Sequence, residues 1–374
     1  MSQVDALIRR QRLRAIELLP WVIAVAAYFA FADYLPLGSQ ILIMILFALS
    51  LDLVLGYAGI VTLGHSAFFG VGAYAAGIYA ARVSGEPLSG LLVGAVAAAT
   101  VGWASGLVIL RTQGLALLML TLAVTALLAE AANKASFITG GADGLQGVDI
   151  DPIFGIFRFD LFGRTAYCYC LAVLFLAWLF ASRLVHSSFG RSLVGIRENA
   201  TRMHAIGSPV RRRLIAAYTI SAALAGIAGA LLAQTTQFVG LTVLGFQRSG
   251  EIVIMLVFGG IGRLYGAFIG AAVYTISAAL AGVAGALMAQ TTQFVGLTVL
   301  GFQRSGEIVI MLVFGGIGRL YGAFVGASLY MIAQDQLAKM DPEFWYFWIG
   351  LLLVLLVMFA RGGILGLIDR LLGR

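Results

Sequence analysis

The 374-residue chain is 61% hydrophobic and 11% charged, with a mean hydropathy of +0.99 and a net charge of +7. An average soluble domain carries roughly 25% charged residues, so this chain cannot clothe a water-facing surface, and a soluble globular fold is excluded. The basic balance does not mark a nucleic-acid binder, because the arginines lie between apolar stretches and not on one basic face.

Apolar runs bounded by charge, Gly or Pro predict membrane spans near 18–36, 40–62, 66–82, 89–110, 114–132 and 166–184. Five more candidates follow at 214–236, 251–275, 277–292, 307–333 and 344–361. The fold class is therefore an all-α polytopic membrane protein of about 10–11 segments, some broken or re-entrant. Arg9, Arg10, Arg12 and Arg14 precede the first run, which has no small-residue cleavage site behind it and reads as an uncleaved span. Cys168 and Cys170, two apart in an apolar run, point to different helix faces and read as small buried residues.

Two polar connections set the topology. Residues 133–165 carry Lys134, Asp143, Asp149, Asp151, Arg158, Asp160 and Arg164 without basic excess and read as external. Residues 183–213 carry Arg183, Arg191, Arg197, Arg202, Arg211, Arg212 and Arg213 against a single acid, Glu198, and read as cytoplasmic, as does the N-terminus. Arg361, Arg370 and Arg374 favour a cytoplasmic C-terminus, yet five crossings after the basic loop would leave it outside. At least one candidate should then be interrupted. The glycine clusters Gly259, Gly260, Gly262 and Gly315, Gly316, Gly318 are the expected breaks, which membrane tolerates only inside protein or beside water.

Residues 218–272 recur at 274–328 with an offset of 56, differing only at Ile227/Val283, Leu232/Met288, Ile269/Val325 and Ala272/Ser328. This is a direct tandem copy, with Tyr218, Tyr274 and Tyr330 at equal spacing, and removing one unit leaves 318 residues. Two near-identical surfaces cannot fill one packing site, so one copy is expected in the core and the other at the periphery. The pairs Gly90/Gly94, Gly102/Gly106, Gly266/Gly270 and Gly322/Gly326 allow close helix approach in lipid.

The basic loop holds GRSLVGIRENATRMHAIG at 190–207, a stretch that predicts one short helix over Ser192–Ile206 ended by Gly207. Leu193, Ile196, Met203 and Ile206 fall near one face of it, with Arg197, Glu198 and Arg202 elsewhere, a pattern suited to docking into a cleft on a cytosolic partner.

That segment resembles the coupling loop of branched-chain amino acid ATP-binding-cassette importer permeases of the LivM/LivH type. Similar motifs follow the family order: GYAGIVTLGHSAFFGVGAYAAG at 56–77, TLAVTALLAEAANKASFITGGADGL at 121–145, EIVIMLVFGGIGRLYGAFVGA at 307–327 and the ending MFARGGILGLIDRLL. Thr139–Leu145 and the long external loop point to the LivM type. The resemblance implies a bacterial inner-membrane importer with two permease subunits, this chain and a LivH-type partner. Separate cytosolic ATP-binding subunits and a periplasmic substrate-binding protein complete it. The coupling positions carried over are Gly190, Arg191, Ile196, Arg197, Glu198, Asn199 and Gly207. The tandem copy is foreign to the family pattern, and Arg263 and Arg319 stand where a small or polar residue is usual.

No cofactor is expected on this chain. The lysines Lys134 and Lys339 follow Asn133 and Ala338, so no P-loop can form and ATP must be hydrolysed by a partner. His65, His186 and His204 lack metal-ligand spacing. Of the acids in apolar runs, Asp52 and Glu130 are pathway candidates. Asp33, Glu251 and Glu307 read as interfacially solvated. His65 is a lesser pathway candidate, better read as a hydrogen-bonded packing residue. The alternative function is an ion-coupled secondary transporter of small polar solutes using Asp52 or Glu130.

Overall fold

The computed structural model describes residues 15–359 except 113, 154, 156, 161, 294, 297–300, 316–319, 342 and 343. The terminal arginines, Gly316, Gly318 and Arg319 lie outside the described residues. The chain divides into two compact units, Met1–Leu280 and Ala281–Arg374.

The first unit opens with α1 (Ala15–Ala30) and α2 (Leu35–Asp52), the latter continued by a wider turn over Leu53–Tyr57. Then come α3 (Ser66–Arg82), α4 (Pro87–Ile109), α5 (Leu115–Lys134) and α6 (Arg164–His186). Pro36 and Pro87 stand in the first turns of α2 and α4, where no N–H is needed. The basic segment forms α7 (Ser188–Glu198) and α8 (Ala200–Ala205), followed by α9 (Val210–Thr236), α10 (Phe246–Gly259) and α11 (Gly266–Thr292). Beyond these lie α12 (Phe302–Gly315), α13 (Leu320–Met340) and α14 (Trp345–Phe359). Among the described residues there is no strand, only isolated bridges such as Leu145–Val239.

Six described stretches are long and apolar enough to cross a membrane: Ala32–Tyr57, Pro87–Ile109, Leu115–Lys134, Arg164–His186, Val210–Thr236 and Gly266–Thr292. The protein is a multi-pass, all-α membrane protein. The expected spans 251–275 and 307–333 are not continuous: α10 stops at Gly259, and α12 stops at Gly315. Nor does a span begin at 277, because α11 runs unbroken from Gly266. The reason is local. Gly260 and Gly262 take φ of +94° and +79°, so the break falls there, while the join between the copies contains nothing that stops a helix. Among the described residues, six helices of 14 or more residues follow the basic segment.

The core of the first unit is a seam of small residues. A Cβ on Gly90 would lie 2.8 Å from Gln234, one on Gly94 2.9 Å from Ala230, and one on Gly106 3.1 Å from Tyr218. Gly102 meets Ala222, and Gly226 meets Ala98. Steps of four along α4 thus oppose steps of four, in reverse, along α9, and the backbones touch where a larger side chain would hold them apart. Gly72 of α3 closes on Gly226 from a third direction.

The copies do not share this environment. Tyr218 is 2% exposed, and Ala222, Gly226, Ala230 and Gln234 are buried. Their counterparts Ala278, Gly282, Ala286 and Gln290 are all exposed. In the second unit, Phe314, Tyr330 and Ile349 form a separate small core with Ile310, Leu329 and Leu353 packed on it. The glycine elbow recurs: Gly259 and Gly270 of the first copy lie against the backbone of Gly266 and Met255, as Gly315 and Gly326 do against Gly322 and Met311.

Candidate functional site

The basic segment folds into two helices, not the single expected one over Ser192–Ile206. Asn199 breaks it: its backbone is extended (φ −158°, ψ 97°), and its side-chain oxygen accepts a hydrogen bond from the Arg202 N–H at 2.8 Å, capping α8. Ser187 caps α7 by accepting from the Gly190 N–H at 3.4 Å. Gly190 itself lies against the Val185 carbonyl, where a Cβ would collide. Gly195 lets Met203 of α8 fold onto α7, with the sulfur 2.9 Å from where a Cβ would stand. Gly207 ends the pair at φ +79°.

Leu193 and Ile196 are buried, whereas Arg191, Arg197, Glu198 and Asn199 are exposed; Met203 is half-buried. Ile206 is exposed, because the break at Asn199 turns it off the apolar face. One side of α7 is therefore anchored in the bundle and the other is open. Arg197 spans the two: its guanidinium Nη1 donates to the Gly56 carbonyl at the end of α2, its stem lies against Gly59, and Gly262 of the α10–α11 elbow is adjacent. Asp52, buried one turn before Gly56, accepts from the Gly262 N–H at 2.7 Å. The end of α2, the elbow and α7 thus meet at one point. On the same side Arg211 donates to Leu107 O at 3.2 Å, joining α9 to the end of α4.

A second polar cluster lies deeper. Residues 58–65 are not helical, and their buried backbone is satisfied locally: Ile60 N–H donates to Val54 O at 3.0 Å, and the Thr125 hydroxyl to Gly64 O at 3.1 Å. His65 is buried, 3.0 Å from Ser50 Oγ through Nε2, stacked on Phe47 and met edge-on by Phe68. Ser221 donates to Ser50 O at 2.5 Å, and Ser249 donates to Ser66 Oγ at 2.9 Å. Glu130 is not brought into either cluster; it is exposed on α5, 3.7 Å from Lys134.

The segment after α5 closes over the link between α9 and α10. Leu145 and Val239 exchange backbone bonds at 2.8 and 3.2 Å, Asp151 N–H reaches Gly85 O at 2.9 Å, and Arg82 donates to Phe137 O at 2.7 Å. Thr139–Leu145 turns tightly through Gly140, Gly141 and Gly144, all with positive φ.

Sequence reasoning missed two features. Glu251 and Glu307 pair with Arg248 at 3.3 Å and Arg304 at 2.9 Å, and Glu307 is buried where solvation was expected, while Glu251 stays partly exposed. The three-residue spacing on one helix face was the available signal. The receptor for Arg197, made of Gly56 and Gly262, lies 141 residues before it and 65 after it, and could not be read from the sequence.

The family model for the permease component of branched-chain amino acid transport systems matches residues 35–276 and again 271–357. This chain belongs to that permease family. The two permease matches overlap at 271–276, where the first copy runs into the second, and together they take in α2 through α14. The chain is 26% identical to the high-affinity branched-chain amino acid transport system permease protein LivM of Escherichia coli, over 74% of this chain and 70% of that one. It is 27% identical, with the same shares, to the protein of that name from Salmonella typhimurium. A probable branched-chain amino acid transport permease protein LivM from Methanocaldococcus jannaschii is 26% identical over 61% of this chain and 75% of its own. No solved structure matches this permease.

Proposed function

We propose that the chain is a LivM-type membrane subunit of an ATP-binding-cassette importer in a bacterial inner membrane. With a LivH-type permease subunit it forms the pathway for branched-chain or related amino acids, delivered by a periplasmic binding protein. Cytosolic ATP-binding subunits grip α7 and α8, and this chain carries no ATP site of its own. The observation that supports this best is the tie from Arg197 of α7 to Gly56 and the α10–α11 elbow, which gives a rigid-body push on α7 a direct route into two transmembrane elements. Exposed Arg191, Glu198 and Asn199 offer the motor its polar contacts.

The N-terminus and the basic segment face the cytoplasm, and 133–165 faces outward. Six helices after the basic segment return the C-terminus to the cytoplasmic side. α10 is about 21 Å long at 1.5 Å per residue, shorter than the about 30 Å hydrocarbon core. It follows a short 3-10 turn at Leu241–Leu244.

Reconstitution of the four-component importer in proteoliposomes tests the reading. ATP-driven uptake of leucine, isoleucine or valine is expected, with the ATPase subunits co-purifying. Uptake that follows a proton gradient and survives ATP depletion would replace it with the ion-coupled alternative.

A further inference from the structure

A groove of about 460 Å³ lies between α4 and α9, near the start of α9. Leu107, Ile215, Ala216 and Ile220 make its apolar walls, and the hydroxyl of Thr219 in it is spent on Ile215 O at 2.9 Å. Arg212 stands at one end. The steps from Arg212 to Ile215 and Ala216, and on to Thr219 and Ile220, are three or four residues, so all five share one face of α9. At the other end is Trp103 of α4, 54% exposed. Across the seam Gly102 meets Ala222 and Gly106 meets Tyr218, which sets Trp103 level with Ser221. That level is nine residues past Arg212, or about 14 Å along the helix. One leaflet contributes about 15 Å of hydrocarbon, half of the about 30 Å core, so the groove runs from a charged mouth through the depth of a single leaflet.

The mouth is uniformly positive. Arg211, Arg212 and Arg213 fill the first turn of α9, Arg111 follows the end of α4 by two residues, and neither helix contains an acid. Arg211 is committed to Leu107 O at 3.2 Å. Arg212 is exposed and has no hydrogen-bond or ion-pair partner among the described residues. Glu198, the acid of the basic segment, lies on α7 and does not line the groove. Positive-inside topology accounts for arginines beyond the ends of spans. It does not call for an unpaired guanidinium on the wall of an apolar groove between two of them.

We propose that this groove holds one anionic phospholipid, its phosphodiester on Arg212 and one acyl chain laid along Leu107, Ile215 and Ile220 as far as Trp103. Basic pockets between transmembrane helices receive phospholipid head groups in this manner. A guanidinium matches a phosphate through paired hydrogen bonds. The selectivity follows from the missing acid: a head group of net charge −1 meets only cations here, whereas the ammonium of a zwitterionic head group finds no carboxylate. The lipid bridges the end of α4 to the first turn of α9 and so supports the tie that Arg211 makes to Leu107. The site goes beyond the import reading and does not depend on it.

The test is quenching of Trp103 fluorescence in the full chain, in detergent, by phosphatidylglycerol or phosphatidylethanolamine brominated on the acyl chains. The signal of the Trp103→Phe chain is subtracted. Phosphatidylglycerol should reach half-quenching at a mole fraction at least tenfold lower than phosphatidylethanolamine. Arg212→Gln should raise that mole fraction about fivefold, the worth of one arginine at an anionic lipid surface, and Arg212→Lys, which keeps the charge, should stay within twofold. Arg183→Gln removes an exposed charge from the end of α6, outside the groove, and should change nothing. Equal quenching by the two lipids would make the groove an ordinary lipid-facing surface and overturn the site. So would a loss in R183Q equal to that in R212Q, which would mark diffuse surface charge. Displacement of brominated phosphatidylglycerol by an equal concentration of glycerol phosphate would assign Arg212 to a soluble anion and overturn the lipid.

Discussion

Placing the same substitution at the same residue of the two copies separates packing from everything local. Gly226→Val puts a branched side chain where a Cβ already meets Ala98 and comes 2.6 Å from the Gly94 carbonyl, with Gly72 of α3 closing from another side. Because the obstacle includes the Gly94 backbone of α4, no rotamer change relieves it, and the cost lies at the upper end of overpacking, about 3 kcal/mol. Gly282→Val stands 56 positions later in the same local sequence, with nothing within 4 Å of its Cβ. Helix propensity is common to both sites and by itself favours Val over Gly by a few tenths of a kcal/mol. In detergent, thermal unfolding followed by loss of the monodisperse peak should fall by roughly 5 °C or more for G226V. G282V should be unchanged or slightly raised. Equal shifts would mean that the two copies are equally packed, and the reasoning would fail.

Three further outcomes follow. Arg197→Ala removes a charge-assisted hydrogen bond worth about 1.5–3 kcal/mol when buried; with Arg197 exposed, about 1–2 kcal/mol is expected, read as a five- to thirtyfold drop in ATP-driven uptake while basal ATPase activity persists. Wild-type uptake by R197A would remove α7's tie to α2 from the mechanism. Gln234 is 2% exposed, donates to Pro87 O at 2.7 Å and accepts from the Tyr169 hydroxyl at 3.0 Å, so Gln234→Leu should destabilise by about 2–3 kcal/mol and Tyr169→Phe by about 1. Equal unfolding shifts would contradict that order. Deleting residues 274–329 joins Val273 to Tyr330 and removes two helices' worth of chain, so a thiol reporter at the C-terminus should stay on the side it occupies in the full chain; a switch of side would refute the six-helix count.

Much of the scaffold was legible because lipid imposes a length and a composition on every crossing element. α3 falls on the expected 66–82, and α4, α5 and α6 agree with their runs to within two residues. The glycine breaks were legible too, since Gly260 and Gly262 adopt conformations other residues avoid. The candidate site was half visible. Composition pointed to residues 190–207, but Asn199 as a helix break depends on its extended backbone, and the partners of Arg197 depend on α2 and the elbow arriving at the same point.

The duplication shows where the sequence stops deciding. It determined that both copies form a long helix, a short helix and a glycine elbow, because those follow from local propensity and period. Burial was decided by neighbours. Tyr218 and Tyr274 open near-identical stretches, yet α4 supplies Gly102 and Gly106 against the first, and the stretch after the second is exposed. A packing site holds one occupant, and only the tertiary structure says which copy took it.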